Sequence, residues 1–241
     1  LGCLVELPLI IAQPDSIEIL NTLADSVVCN GGNDGSVSFS AIGGTMPYSY
    51  LLDGITNSAM PSFSGLISGT HIIRVIDQNG CFTDDQVVIE EPVALILNQL
   101  NASSPTCFSG NDASVEVGAS GGIPPYTYSI DGSLWQASGV FSTNGGAHLL
   151  QVKDANNCVS GINTNINQPD DVGADIVVSD ATCSATTDGS VVLSGTGGSG
   201  PYTYSLNGGS FQNSGNFSGL GPGTYTVNVL DALGCVNLVS L

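Results

Sequence analysis

The chain of 241 residues carries 21 acidic side chains against two basic ones, Arg74 and Lys153, for a formal charge of −19. Two cations cannot neutralise a run of phosphates, which excludes direct nucleic-acid binding and attachment to an anionic membrane surface. Hydrophobic residues make up 41% of the chain, enough apolar material to offset chain entropy and exclude a disordered polymer.

The seven cysteines keep a phase: from 29 to 107 the interval is 78, and from 81 to 158 and 158 to 235 it is 77. The chain is therefore a tandem array. In chain order, residues 1–13 match the end of a preceding repeat and carry Cys3. Units of 14–91, 92–168 and 169–241 follow, and Pro14, Pro92 and Pro169 mark the joints, each eleven residues after a cysteine. The third unit stops before its next proline falls due, so the chain reads as a window of a longer repetitive polypeptide. There is no charged-then-apolar leader and no apolar run of about 18 residues, so direct membrane insertion is not expected.

Each unit carries a cysteine with an aspartate five residues on: Cys29/Asp34, Cys107/Asp112, Cys183/Asp188. An alternating run follows, as Val37, Phe39, Ala41, as Val115, Val117, Ala119, and as Val191, Leu193. A double glycine (43–44, 121–122, 197–198) then precedes Pro-Tyr-x-Tyr, with tyrosines at 48/50, 126/128 and 202/204. The turn dipeptides Asp53-Gly54, Asp131-Gly132 and Asn207-Gly208 come next. A second alternating run through His71, Ile73, Val75 and its equivalents ends at Asp77 and Cys81, Asp154 and Cys158, or Asp231 and Cys235. An apolar period of two predicts half-buried strands, and the glycine-rich turns predict hairpins. The expected fold is all-β: a tandem array of small Ig-like antiparallel sandwiches of about 77 residues and six or seven strands each.

A core this small gains from a covalent staple. Cys-x-x-Cys spacings are absent and there are two histidines, which points to disulfides rather than to metal. Pairing within units predicts Cys29 with Cys81, Cys107 with Cys158 and Cys183 with Cys235, leaving Cys3 to a partner upstream. That requires both cysteines of a unit at one end of its sandwich, hence an even number of strands from the first cysteine to the second and an odd number, or a crossover, from the 54–68 region. With the other parity the pairing fails, and bridges between neighbouring units are the alternative. Either pattern needs an oxidising compartment.

His71 and His148 occupy the place of Tyr225, so a buried ring bonded near a strand start accounts for all three better than a metal site. Arg74 and Lys153 are expected to face outward and pair with local carboxylates. Asp77, Asp154, Asp231, Asp34, Asp112 and Asp188 are expected to fix turns through backbone N–H groups. Calcium held by Glu90-Glu91 and Asp170-Asp171 at the joints is the competing idea, without an EF-hand pattern to support it. The tyrosine pairs are expected in the core; with Trp135 and Phe211 they form the alternative of a sugar platform. No Gly-x-Ser-x-Gly elbow and no recurring Ser/His/Asp set occurs, so no enzyme is expected and no catalytic or cofactor residue is assigned.

The order Cys-x4-Asp-Gly-Ser, Gly-Gly-x2-Pro-Tyr-x-Tyr, then Gly-Thr-Tyr-x-Val-x-Val-x-Asp-x-x-Gly-Cys resembles SprB repeats, with the fullest match at Cys183–Cys235. Ala113, Asn157 and His71 are departures in the other units. SprB repeats occur in very large cell-surface adhesins of gliding and other Bacteroidetes bacteria. The resemblance implies type IX secretion, display on the outer surface and a role as a structural stalk or filament. Its partners would be neighbouring repeats, other copies in a filament, or surface polysaccharide. The alternatives are repeats that themselves bind carbohydrate or a partner, and lateral assembly into a fibre. Ser16 and Ser26, in Asp-Ser-apolar contexts, resemble O-glycan acceptors of such bacteria.

Overall fold

The computed structural model describes residues 8–240, and every regular element among them is a strand. The first repeat holds β1 (Glu18–Asp25), β2 (Gly35–Ile42), β3 (Ser49–Leu52), β4 (Thr56–Ser58), β5 (Ser62–Leu66), β6 (Gly69–Ile76) and β7 (Phe82–Ile89). They form two antiparallel sheets, β1-β2-β5 and β4-β3-β6-β7. Alternation does the work that the period of two predicts: Val37, Phe39 and Phe63 enter the core from one sheet, and Tyr50, Leu52, Ile73, Val75, Val87 and Ile89 from the other. Ile73 and Val75 are fully buried, each favoured over exposure by about 1.5–3 kcal/mol.

The second repeat contributes β8 (Ile96–Ser103), β9 (Ala113–Ser120), β10 (Thr127–Ile130), β11 (Val140–Thr143), β12 (Gly146–Lys153) and β13 (Val159–Ile166), in sheets β11-β9-β8 and β10-β12-β13. The third repeats this with β14 (Gly173–Ser179), β15 (Gly189–Thr196), β16 (Thr203–Leu206), β17 (Asn216–Leu220), β18 (Thr226–Leu230) and β19 (Val236–Ser240), in sheets β14-β15-β17 and β16-β18-β19. An isolated bridge, Tyr128 with Gln136 and Tyr204 with Gln212, replaces β4 in these two repeats. The fold is thus an all-β series of Ig-like sandwiches, and no sheet among the described residues mixes strands of two repeats. In all three turn dipeptides both residues have positive φ: 51° and 71° at Asp53-Gly54, 49° and 72° at Asp131-Gly132, 48° and 69° at Asn207-Gly208. That is the reason Asp, Asn and Gly stand there.

By compactness the chain divides into two units. The first runs through Leu95 and takes in Gly121–Pro125 and Asp154–Cys158; the second holds Ile96–Ser120, Tyr126–Lys153 and everything from Val159 on.

The strand count decides the cysteine pairing. Between β2 and β6 lie three excursions, β3, β4 and β5, so the 54–68 region supplies two strands and the parity is odd. β2 therefore runs the same way as β6. Gly35 at the start of β2 pairs with Leu66, three residues before β6 begins. Cys29 precedes that end, and Cys81 follows the other end of β6, where Ile76 pairs with Phe82. Eight-residue strands are about 23–27 Å long, far beyond the Cα separation a disulfide spans. With the bridges at Gln136 and Gln212 taking the part of β4 in the other two repeats, none of the within-repeat pairs Cys29–Cys81, Cys107–Cys158 and Cys183–Cys235 forms. Instead Cys29 is bonded to Cys158, with Cα atoms 5.7 Å apart, and Cys107 to Cys235 at 5.6 Å. Cys81 and Cys183 are free thiols, and Cys3 lies outside the described residues.

Candidate functional site: the disulfide joints

The first joint belongs wholly to the first compact unit. It meets at the Cys29 turn of the first repeat, the linker around Pro92, and two loops of the second repeat, 121–125 and 154–158. The linker is fixed by both repeats. Asn30 Nδ2 donates to Pro92 O at 3.0 Å and Gly31 N to Glu91 Oε2 at 2.9 Å. Across the disulfide, Asn156 Nδ2 donates to Val28 O at 3.3 Å. On the other side of the linker Gly122 N donates to Val93 O at 2.8 Å.

That last contact explains the double glycine of every repeat. A Cβ on Gly121 would lie 1.9 Å from Ala94 O, and Gly121 has φ of 70°. The same close approach recurs between Gly43 and Ser16 O at 2.0 Å and between Gly197 and Asp171 O at 1.9 Å. Any side chain there would drive the incoming linker off the sandwich, so glycine is required by space as well as by φ.

The second joint lies wholly in the second compact unit and has the same plan. Ser109 N donates to Gln168 Oε1 at 3.2 Å, where the first joint uses Gly31 and Glu91. Gly198 N donates to Asp170 O at 3.0 Å, and Asn237 Nδ2 donates to Val172 O at 2.5 Å. Cys235 is buried and Cys107 packs against the third repeat's core.

Each second cysteine is placed by the aspartate four residues before it. Asp154 Oδ1 accepts the N–H groups of Asn156 and Cys158, both at 2.9 Å, while Oδ2 accepts Ile123 N at 2.9 Å. Asp231 does the same with Leu233 at 2.9 Å, Cys235 at 2.8 Å and Ser199 at 2.9 Å, and Asp77 with Asn79, Cys81 and Thr45. One carboxylate thereby locks the cysteine turn to the loop after the double glycine. Burial pushes the Asp231 carboxyl up, but N–H donation from Cys235, Ser199, Leu233 and Gly234 outweighs it and holds the group below its ordinary range.

Each first cysteine is placed by the aspartate five residues after it. Asp34 Oδ1 accepts Val28 N, Asp112 accepts Thr106 N, and Asp188 accepts Thr182 N, all at 3.0 Å. The hydroxyls of Thr186 and Thr182, with the Thr182 N–H, lower the Asp188 pKa to about 2. These six aspartates therefore fix turns. Among the described residues no three of His, Cys, Asp and Glu gather in a metal-sized cluster; Glu91 is engaged by the Gly31 N–H, and Asp170 acts through its carbonyl.

The remaining candidates have local partners. His71 Nδ1 meets Asp53 Oδ2 at 2.8 Å and Nε2 meets Ile67 O at 3.1 Å; the Asp53 bond raises the ring's pKa. His148 makes the same corner with Asp131 at 2.6 Å and Asn144 O at 3.0 Å. In the third repeat Tyr225 OH donates to Gly221 O at 2.9 Å and Asn207 replaces the aspartate. Arg74 grips Asp84 with two bonds of 2.7 and 2.8 Å and lies over Phe82, and Lys153 sits over the Trp135 ring at 4.7 Å. Tyr50, Tyr128 and Tyr204 are buried. Ser16 and Ser26 are both exposed.

The sequence reading placed Glu91 at the joint as a calcium candidate, where it accepts the Gly31 N–H instead, and missed Asn156, the Val28 carbonyl and the Gln168 acceptor. Only the in-phase glycine pair signalled that a linker docks there.

The profile of the SprB repeat family matches at residues 22–57, 100–134 and 176–211. No curated protein matches the chain. Among solved structures, the three N-terminal domains of the bacteriophage RB49 highly immunogenic outer capsid protein are similar at 12% identity, covering 93% of this chain and 95% of that one, with a TM-score of 0.37. The eight N-terminal Ig domains of a Down syndrome cell adhesion molecule isoform give 12%, 95% and 36%, with a TM-score of 0.39. A C-terminal fragment of intimin, solved with its receptor's intimin-binding domain, gives 14%, 69% and 67%, with a TM-score of 0.32. Likeness at this level does not bear on function.

Proposed function

We propose that this chain, which carries SprB repeats at three places, is a force-bearing stalk segment of a large secreted cell-surface adhesin that supports surface attachment and gliding. Each sandwich is a repeat of the stalk, with boundaries at 14–91, 92–168 and 169–241, and it works without catalytic residues. The observation that carries the reading is the overlap of the two disulfide loops, which span sequence separations of 129 and 128 residues. Because Cys107 lies inside the first loop and Cys158 inside the second, a single backbone cut anywhere between Cys29 and Cys235 leaves the two pieces covalently joined. A stalk exposed to proteases and tension gains directly from that redundancy; a binding module does not need it.

The overlap also limits extension. If every sandwich came apart under load, the shortest covalent path from Cys29 to Cys235 would run through the first bond, back along the stretch from Cys158 to Cys107, and through the second bond. That stretch reaches about 170–185 Å fully extended, against about 700 Å for the reduced chain.

The alternative of repeats as carbohydrate-binding modules turns on Trp135, whose ring carries the Lys153 ammonium at 4.7 Å yet stays 37% exposed. The test is a binding assay with the isolated chain on polysaccharide-coated surfaces and on cells. The expected result is no saturable binding; saturable binding that Trp135→Ala abolishes would replace the stalk with the binding module. Ser16 and Ser26 are proposed as O-glycan acceptors, checked by intact mass of the chain from its producing cell.

A further inference from the structure

The two bonds follow one rule. The first cysteine of a repeat is joined to the second cysteine of the repeat after it, at sequence separations of 129 and 128. Cys183 is a first cysteine and Cys81 a second cysteine, and both are exposed thiols. Each half is placed by the same aspartate contact as its bonded equivalents; at Cys183 one bond is added, its N–H donating to Thr186 Oγ1 at 3.0 Å. Cys81 N donates to Asp77 Oδ1 at 2.9 Å, as Cys158 N does to Asp154 and Cys235 N to Asp231 at 2.8 Å. Before Cys183, Thr182 N donates to Asp188 Oδ1 at 3.0 Å, as Thr106 N does to Asp112 before the bonded Cys107. The backbone around each free thiol is thus already set in the form that carries a bond elsewhere in the chain.

We propose that Cys183 and Cys81 are complementary open halves of the same ladder, each taking a thiol from another SprB-type repeat. Cys183 takes the second cysteine of a repeat that follows it, and Cys81 the first cysteine of a repeat that precedes it. The ladder is heterologous: a first cysteine accepts only a second cysteine, so the contact propagates in one direction instead of closing into a pair. The chemistry balances with a small-molecule disulfide as oxidant. Two thiols give up two protons and two electrons as one S–S bond forms, and oxidised glutathione accepts them and leaves as two molecules of glutathione.

The partner repeat has two sources, further repeats of the same chain or a second copy, and in the isolated chain only a second copy is present. The experiment uses two forms of the 241-residue chain, both with Cys3→Ser: one with Cys81→Ser, which keeps Cys183, and one with Cys183→Ser, which keeps Cys81. Each is incubated with oxidised glutathione alone and as an equimolar mixture, then separated without reductant and mapped by mass spectrometry. The expected result is that each remains a monomer alone and that the mixture yields a dimer linked by one Cys183–Cys81 peptide pair. The chain with both thiols should form a ladder of oligomers. Retention of the Cys29–Cys158 and Cys107–Cys235 peptides in every map shows that both forms have folded. Dimers of either form alone, or no linked dimer in the mixture, would overturn the proposal. In the protein isolated from its producing cell, a Cys183 peptide linked to the Cys81 peptide identifies a second copy, and one linked to a cysteine peptide absent from these 241 residues identifies a further repeat. Free Cys81 and Cys183 thiols in that material, or the two bonded within one chain, would also overturn it.

Discussion

The joint at Cys29–Cys158 and the joint at Cys107–Cys235 hold the same bond in different surroundings. At the first, both cysteines are half-buried, the linker acceptor is the carboxylate of Glu91, and Asn156 reaches across to Val28 O. At the second, Cys235 belongs to the core, the acceptor is the amide of Gln168, and Leu233 stands where Asn156 would. The parts that do not vary are the aspartate-locked turn, the close approach of glycine to the linker carbonyl, and the bond. The joint is therefore specified by backbone geometry. Charge at its margin is replaceable, and burial tunes how accessible the sulfur is.

The largest effect should come from cutting the chain. A protease site placed in the linker beside Pro92, and another beside Pro169, should each give a single full-mass band without reductant and two fragments with it. Separation at one joint alone would break the equivalence of the two. Next is loss of a bond. Closing a loop of this length contributes about 5 kcal/mol when taken alone in the chain-entropy model, so Cys158→Ser and Cys235→Ser should each lower the denaturation midpoint markedly. Under limiting dithiothreitol, differential alkylation should find the first bond, half-buried at both cysteines, opening before the second, which is buried at Cys235; the reverse order would mean that burial does not control access. Smaller again is Asp154→Ala, which leaves three N–H groups without their charged acceptor at a cost of about 2–4 kcal/mol. Urea unfolding should show a similar loss for Asp231→Ala, since the three bonds are the same.

The smallest effect is a pH dependence confined to one kind of corner. In the first repeat the hydrogen bond from Asp53 raises the His71 pKa. Burial pushes the Asp53 carboxyl up, but the His71 bond, the Ile72 N–H and the ring's charge together hold it below its ordinary range. The folded-state pKa of His71 exceeds its unfolded value of about 6.5, so its contribution is fully present below that pH and fades as pH rises through the folded value. The Asp53 contribution is present above its ordinary value of about 3.9 and is lost as pH falls through the lowered one. The pair is thus strongest between about pH 4 and 6.5. His71→Tyr with Asp53→Asn, which copies Tyr225 and Asn207, should flatten this part of the stability profile of the chain measured by thermal unfolding across pH 4–9. A profile unchanged by the substitutions would remove the contrast between the charged and neutral corners.

The sequence by itself determined the repeat length, the strands and the turns, because each depends on residues close in the chain. Alternation at Val37, Phe39 and Ala41 needs only a pleated strand with one dry face, and Asp53-Gly54 needs only a turn with positive φ. The aspartates were legible as turn-fixing groups for the same reason, through their partners within the same turn; the second contact of Asp77, Asp154 and Asp231, to a loop about 31–32 residues away, was not. The cysteine pairing was not legible, because it depends on whether the stretch from Gly54 to Ser68 makes one strand or two. That stretch is short and mostly exposed, and its β4 is three residues long in the first repeat and a single bridge in the others. One such strand reverses the parity and moves Cys81 a full strand length from Cys29. Only the tertiary structure decided it, because periodicity fixes which cysteines are equivalent but carries no information about which end of a sandwich each one occupies.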